Sequence, residues 1–191
     1  MESVREEIKI VRHDETVERE LATLAGVIGA DLPAYRNHIY RVLTYALDVL
    51  GEDRTWRETI AFALVYHDAG LWTARDLAYL EPSEAAAERA RLVRAPHLDG
   101  RLVRAIIHWH HKITPYRGAH ADVVNAVRRA DWIDASGGLI RKGLARQRIR
   151  AVMRAIPVAG FPAILMRLAA DLNHGRQAAG LRRVLRYVYK I

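Results

Sequence analysis

Four polar side chains stand on otherwise apolar stretches of the sequence: His38, His67, Asp68 and Asp131. The run Ile60-Ala61-Phe62-Ala63-Leu64-Val65-Tyr66 reads as the last turns of a buried helix, and it delivers His67 and Asp68 to that helix's inner end. A carboxylate beside a neutral imidazole in an apolar interior loses hydration that nothing local replaces. A bound cation removes that cost. His38 lies four positions before Val42 and shares a face with Val42 and Ala46, while the spacing Val124, Val127, Asp131 keeps the last carboxylate inward. Each residue also has an ordinary reading: His38 bonded to a backbone carbonyl, Asp131 paired with Arg128 or Arg129. Taken together, two imidazoles and two carboxylates suit a divalent ion (Mn, Fe, Zn, Ni, Co or Mg) with positions left for water and substrate.

A second concentration of imidazoles is His108-Trp109-His110-His111. Leu102, Val103, Ile106, Trp109 and Ile113 define an inward arc that contains His110, puts His111 at its border and turns His108 away. His110 and His111 are therefore candidates for catalysis or for a second metal, the alternative for His110 being a hydrogen bond within the core. Arg41, one helical turn from His38, and Lys112 are the leading candidates for holding a phosphate, with Arg117, Arg141 and Lys142 behind them; for each taken singly a solvated surface charge is the more ordinary reading. His13, His97, His120 and His174 have no comparable setting.

The elements that must position these groups are all helical. Apolar spacing predicts helices at about 14–28, from Asp31 to Gly51, from Thr55 into His67-Asp68, and from Asp99 to Pro115. Further helices follow at about 121–135, ended by Gly137-Gly138, then at 139–155 and 161–189, the last broken near Asn173-His174-Gly175. Thr73 and Ser83 read as N-caps of two helices between, one through Leu80 and one from 84 to 95. Gly70 reads as a sharp turn after the helix end. No stretch alternates like a strand, so the expected fold is all-α, a compact multi-helix bundle.

With 191 residues, 51% hydrophobic and 27% charged, the chain suits one domain, with a motif core at about 35–135 and C-terminal helices 139–190 packed on it. It contains no cysteine, which excludes disulfides and thiolate metal sites. No apolar run is long enough to span a bilayer and the N-terminus is too polar for a secretory signal, so a soluble, cytoplasmic protein without a membrane partner is expected. The net charge of +8 fits a phosphate-bearing ligand. It rests almost wholly on arginine, a skew that genome composition produces, so nucleic acid is not the expected partner. The tail Leu181–Tyr189, with Val184, Leu185 and Val188 on one side, reads as core packing or a homodimer contact.

In the order His38, then Leu64-Val65-Tyr66-His67-Asp68-Ala69-Gly70, then Arg129-Ala130-Asp131, the sequence resembles the HD superfamily of metal-dependent phosphohydrolases. The resemblance covers roughly residues 35 to 135. It implies an all-α core, a metal held by His38, His67, Asp68 and Asp131, sometimes a second ion, and hydrolysis of a small phosphorylated substrate or nucleotide by activated water. Leu71-Trp72-Thr73 stands where many members carry a lysine or acid, and Glu81, Ser83 and Glu84 stand where multi-metal members carry an upstream histidine. These departures keep three rival functions in view: a lyase of the cyanamide hydratase kind, a di-iron oxygenase and a non-catalytic metal-binding module.

Overall fold

The structure is a computed structural model that describes residues 7–51 and 55–184. Among the described residues there are helices and no strands. In chain order these are α1 (Glu15–Ile28), a 3-10 turn (Gly29–Asp31), α2 (Leu32–Leu50), α3 (Arg57–Tyr66), α4 (Gly70–Thr73), α5 (Leu80–Arg94), α6 (Gly100–Trp109), α7 (Ala121–Ala135), α8 (Arg146–Ala155), α9 (Phe161–Asp171) and α10 (Gln177–Val184). The all-α bundle expected from apolar spacing is what forms.

α3 is the hub. Ile60 through Val65 are each fully buried, as expected for a helix apolar on every side. α1 and α6 pack on it, α2 lies alongside, and α2 in turn makes its most extensive contact with α7. Local chemistry starts the elements cleanly. Asp14 caps α1 by accepting from the backbone N–H of Thr16 and Val17, and Asp99 caps α6 through Arg101 N–H. Pro33 in the first turn of α2 has the fixed φ that position accepts.

Four local expectations are corrected. Thr73 ends α4 and caps nothing, and Ser83 lies inside α5, which begins at Leu80. The Ser83 hydroxyl instead accepts from Gly70 N–H at 2.9 Å, satisfying an orphan donor at the start of α4 from a different helix. Gly70 itself is needed for closeness and not for a turn. A Cβ there would sit 2.3 Å from the Tyr79 carbonyl oxygen, a backbone atom that cannot swing aside. The helix expected from 139 begins only at Arg146, because Gly137, Gly138, Lys142 and Gly143 all take positive φ. Positive φ at His174 and Gly175 separates α9 from α10. The expected packing of the Leu181–Tyr189 tail lies outside the residues whose side chains are described.

Candidate metal centre

The four residues of the first set converge, although they come from α2, the α3 terminus and α7. His38, His67, Asp68 and Asp131 are all buried. His38 Nε2 lies 3.1 Å from His67 Nε2 and 3.5 Å from Asp131 Oδ1, and His67 Nε2 lies 3.3 Å from Asp68 Oδ2. His110 and His111 join them from the end of α6: His110 Nε2 is 3.3 Å from Asp68 Oδ1, and His111 Nδ1 is 3.0 Å from Asp131 Oδ2. Donor atoms fall into two overlapping groups able to hold a cation, His38-His67-Asp68 and Asp68-His110-His111, and Asp68 belongs to both.

The backbone dictates which ring nitrogens face inward. His67 and His110 stand just past the last turns of α3 and α6, where carbonyls lack helical partners. Each donates its Nδ1–H to the carbonyl three residues back, Leu64 and Ile107, at 2.6 Å in both cases. Their ε nitrogens then carry lone pairs into the site. His38 is oriented differently, donating Nδ1–H to Asp134 Oδ2 at 2.7 Å. With both δ nitrogens donating, the ε nitrogens of His38 and His67 face each other at 3.1 Å, an arrangement that a cation between them makes favourable.

The orphaned atoms point the same way. Asp68 Oδ1, His110 Nε2 and both Asp131 carboxylate oxygens are buried without a hydrogen bond, and four such atoms in one place need an explanation. Asp131 does not pair with its neighbours in sequence. Arg128 donates to the Lys112 and Ile113 carbonyls, and Arg129 to the Lys142 carbonyl. Burial opposes the charge on Asp68, yet His67, His110 and His111 around it hold its carboxyl well below the usual range, and Asp131 is lowered against burial by His111 and its neighbours. His67 is pushed down to about 4, chiefly by burial and also by the adjacent His110 and His38, so it is neutral and able to ligate. Burial likewise disfavours charge on His111, but Asp131 and Asp68 outweigh it and raise His111 to about 9. The donors apart from the charged His111 fit a divalent ion: imidazoles whose ε nitrogens face inward and ionised carboxylates, without thiolate.

Other candidates take different places. The Arg41 guanidinium, expected to reach a bound anion, is buried and spent on Asp134 (Nε to Oδ1 2.5 Å, Nη2 to Oδ2 2.8 Å) and on the Pro157 carbonyl (2.8 Å). It therefore supports His38 through Asp134. Lys112 is buried just after His111, with its carbonyl held by Arg128. His111, expected at the border, is inside the cluster, whereas His108 turns to Glu84 Oε1 at 2.7 Å. Arg117 and Arg141 are exposed, and the Lys142 ammonium rests over the Trp132 ring.

Two residues of the site do not stand out in the sequence. Asp134 lies one turn after Asp131 and so shares its inward face, a signal that is present in the spacing. Tyr79, whose hydroxyl is 2.7 Å from His111 Nε2, sits in an irregular connection where periodicity says nothing. Comparison with models of protein families, with curated proteins and with solved structures finds no match to this chain. The helical architecture and the His/Asp groups are compatible with an HD-like fold.

Proposed function

We propose that the protein is a metal-dependent hydrolase of the HD type, acting on a phosphoester or nucleotide. The observation that carries this reading is the convergence of His38, His67, Asp68 and Asp131 with buried carboxylate oxygens left unsatisfied, a cost that a divalent ion removes. A divalent ion bound there supplies Lewis acidity and makes water nucleophilic near neutral pH. His38, His67, Asp68 and Asp131 would hold it, and Asp134 with Arg41 fixes the ring of His38. Leu71 and Trp72 are buried in the core, with Trp72 Nε1–H donating to Asp31, so no acid or base comes from that turn. Proton traffic falls to His111, set between Asp131 and Tyr79.

A two-ion form of the site is favoured by one specific feature, the placement of Asp68 with one oxygen toward His67 and the other toward His110. That form also suits a di-iron oxygenase. The test is elemental analysis of protein purified without added metal, followed by assay against a panel of nucleotides and phosphoesters with and without chelator. Retained metal and chelator-sensitive phosphate release are expected. Retained iron with oxygen consumption and no phosphate release would favour the oxygenase, and hydration of a nitrile the lyase. Absence of metal in the wild type, with no gain of thermal stability on adding Mn, Fe, Zn, Ni, Co or Mg, overturns the reading.

A further inference from the structure

The net charge is divided unevenly along the chain. Residues 1–100 carry a net −6 and residues 101–191 a net +14, and between Asp134 and Asp171 there are seven basic residues and no acidic one. Such asymmetry marks a surface built for a polyanion. The fold concentrates it. α8 buries Ile149 and Val152 and receives the Tyr45 hydroxyl on the Ile149 carbonyl, so its opposite face is left outward. On that face Arg146, Arg150 and Arg154 follow one another at single-turn spacing, ~6 Å apart along the axis. Together with exposed Arg141 they have no ion pair among the described residues, in contrast to Arg148, which is held by Asp48.

The turn before α8 adds a second, apolar element. Leu139 is 87% exposed, more than any other large hydrophobic residue among those described, and Ile140 beside it is 38% exposed. The turn is fastened to α8. Gly138 lies so close that a Cβ would meet Ile149 Cγ2 at 2.7 Å, so the turn that carries Leu139 and Ile140 is packed against α8. Nucleic-acid surfaces commonly add aromatic platforms to their cations, and no aromatic residue occurs between Trp132 and Phe161. Two projecting aliphatic side chains followed along the chain by four exposed cations suit a layer of anionic headgroups over hydrocarbon.

We propose that the 137–145 turn and the outer face of α8 dock the protein on an anionic lipid surface, with Leu139 and Ile140 entering the acyl boundary and Arg141, Arg146, Arg150 and Arg154 meeting lipid phosphates. No helix among the described residues is long and apolar enough to cross a membrane, so the association is peripheral. It is independent of the metal centre.

The test is co-sedimentation of the full chain with phosphatidylcholine vesicles, alone or with about 30% phosphatidylserine, at about 0.1 M salt. Binding is expected only to the mixed vesicles and should weaken as salt rises. Each arginine changed to glutamine should lower the affinity about five-fold, so Arg146→Gln/Arg150→Gln/Arg154→Gln together should lower it about a hundred-fold. Leu139→Ser/Ile140→Ser should weaken binding while leaving its salt dependence unchanged. All five side chains are exposed, and unchanged circular dichroism and melting temperature will establish that the variants are folded. Failure to sediment with the mixed vesicles overturns the proposal, as does equal sedimentation with both kinds. Tighter binding to a single-stranded RNA or duplex DNA oligonucleotide, with the same arginine dependence and no effect of Leu139→Ser/Ile140→Ser, assigns the surface to nucleic acid and also overturns it.

Discussion

Glu20 and Asp68 are both buried carboxylates, and they meet consecutive residues, Glu20 the Tyr66 hydroxyl and Asp68 the His67 ring. Glu20 is completed by its own chain. Its Oε2 accepts from Arg94 Nε at 2.9 Å, Arg94 Nη2 at 2.7 Å and the Tyr66 hydroxyl at 2.8 Å, and its Oε1 accepts from Arg19 Nε at 3.0 Å. Among the described residues Asp68 has no arginine or lysine on it, only imidazoles, of which the charged His111 lies 3.8 Å from an Oδ1 that is without a hydrogen bond. One network closes on itself and the other stops short. The physical lesson is that burial of charge alone does not mark a functional site, since an internal counter-ion satisfies it as well as an external one. What distinguishes the His/Asp cluster is the deficit that remains when one charged imidazole, His111, faces two buried carboxylates, Asp68 and Asp131.

The largest expected effect is on the closed network. Glu20→Ala should lower unfolding stability by about 3 kcal/mol, toward the low end for breaking a buried pair because Arg94 is a third exposed and can be rehydrated. The loss should be the same with and without chelator, as read by denaturant unfolding. A loss that depends on chelator would join the two regions into one system.

Next in size is Asp68→Ala. Wild type should gain about 2.7 kcal/mol at a free metal concentration a hundred times its Kd, and this variant should gain none. Paired thermal melts with and without metal check it. A retained gain would remove the distinction between the two carboxylates.

A smaller effect separates the regions by pH. The Glu20 carboxyl is held below its ordinary 4.5: burial raises it, but hydrogen bonds from Arg94, Tyr66 and Arg19 lower it further. A group depressed in the folded state contributes stability above its unfolded pKa and loses that contribution as pH falls through the folded value. The stability advantage of wild type over Glu20→Gln should therefore be full near neutrality and shrink below about pH 4.5. An advantage that stays constant through acid would show that the charge of Glu20 is not what the network uses.

The smallest effect is predicted for His108→Ala. Glu84 keeps Arg104 at 2.8 Å, so stability should change by about 0.5 kcal/mol or less and bound metal should not change. His110→Ala should reduce bound metal, as measured by elemental analysis. Equal effects from the two would mean that the end of α6 is rotated to bring His108 toward the cluster.

Much of the fold and of the candidate metal site is legible in the residues alone. α3 reads as a buried helix because Ile60 through Tyr66 leave it no polar face, and caps such as Asp14 and Asp99 act within a few residues of themselves. His38, His67, Asp68 and Asp131 read as candidates because each interrupts an apolar stripe. Those signals are local, set by the 3.6-residue period of a single helix. Gly70 shows where local reasoning stops: its lack of a side chain serves Tyr79, whose carbonyl only the packing of α5 on α4 brings near.

What the sequence by itself determined is thus most of the longer helices and the polar groups that interrupt their apolar faces. Only the tertiary structure decided how those groups divide their partners. Arg41 goes to Asp134 across 93 residues and not to the site, His111 takes Tyr79 from 32 residues away, and Asp68 and Asp131 are left without an arginine. Such pairings depend on the rotation and register of one helix against another. Periodicity within a helix leaves both free, and close packing of the whole core fixes them.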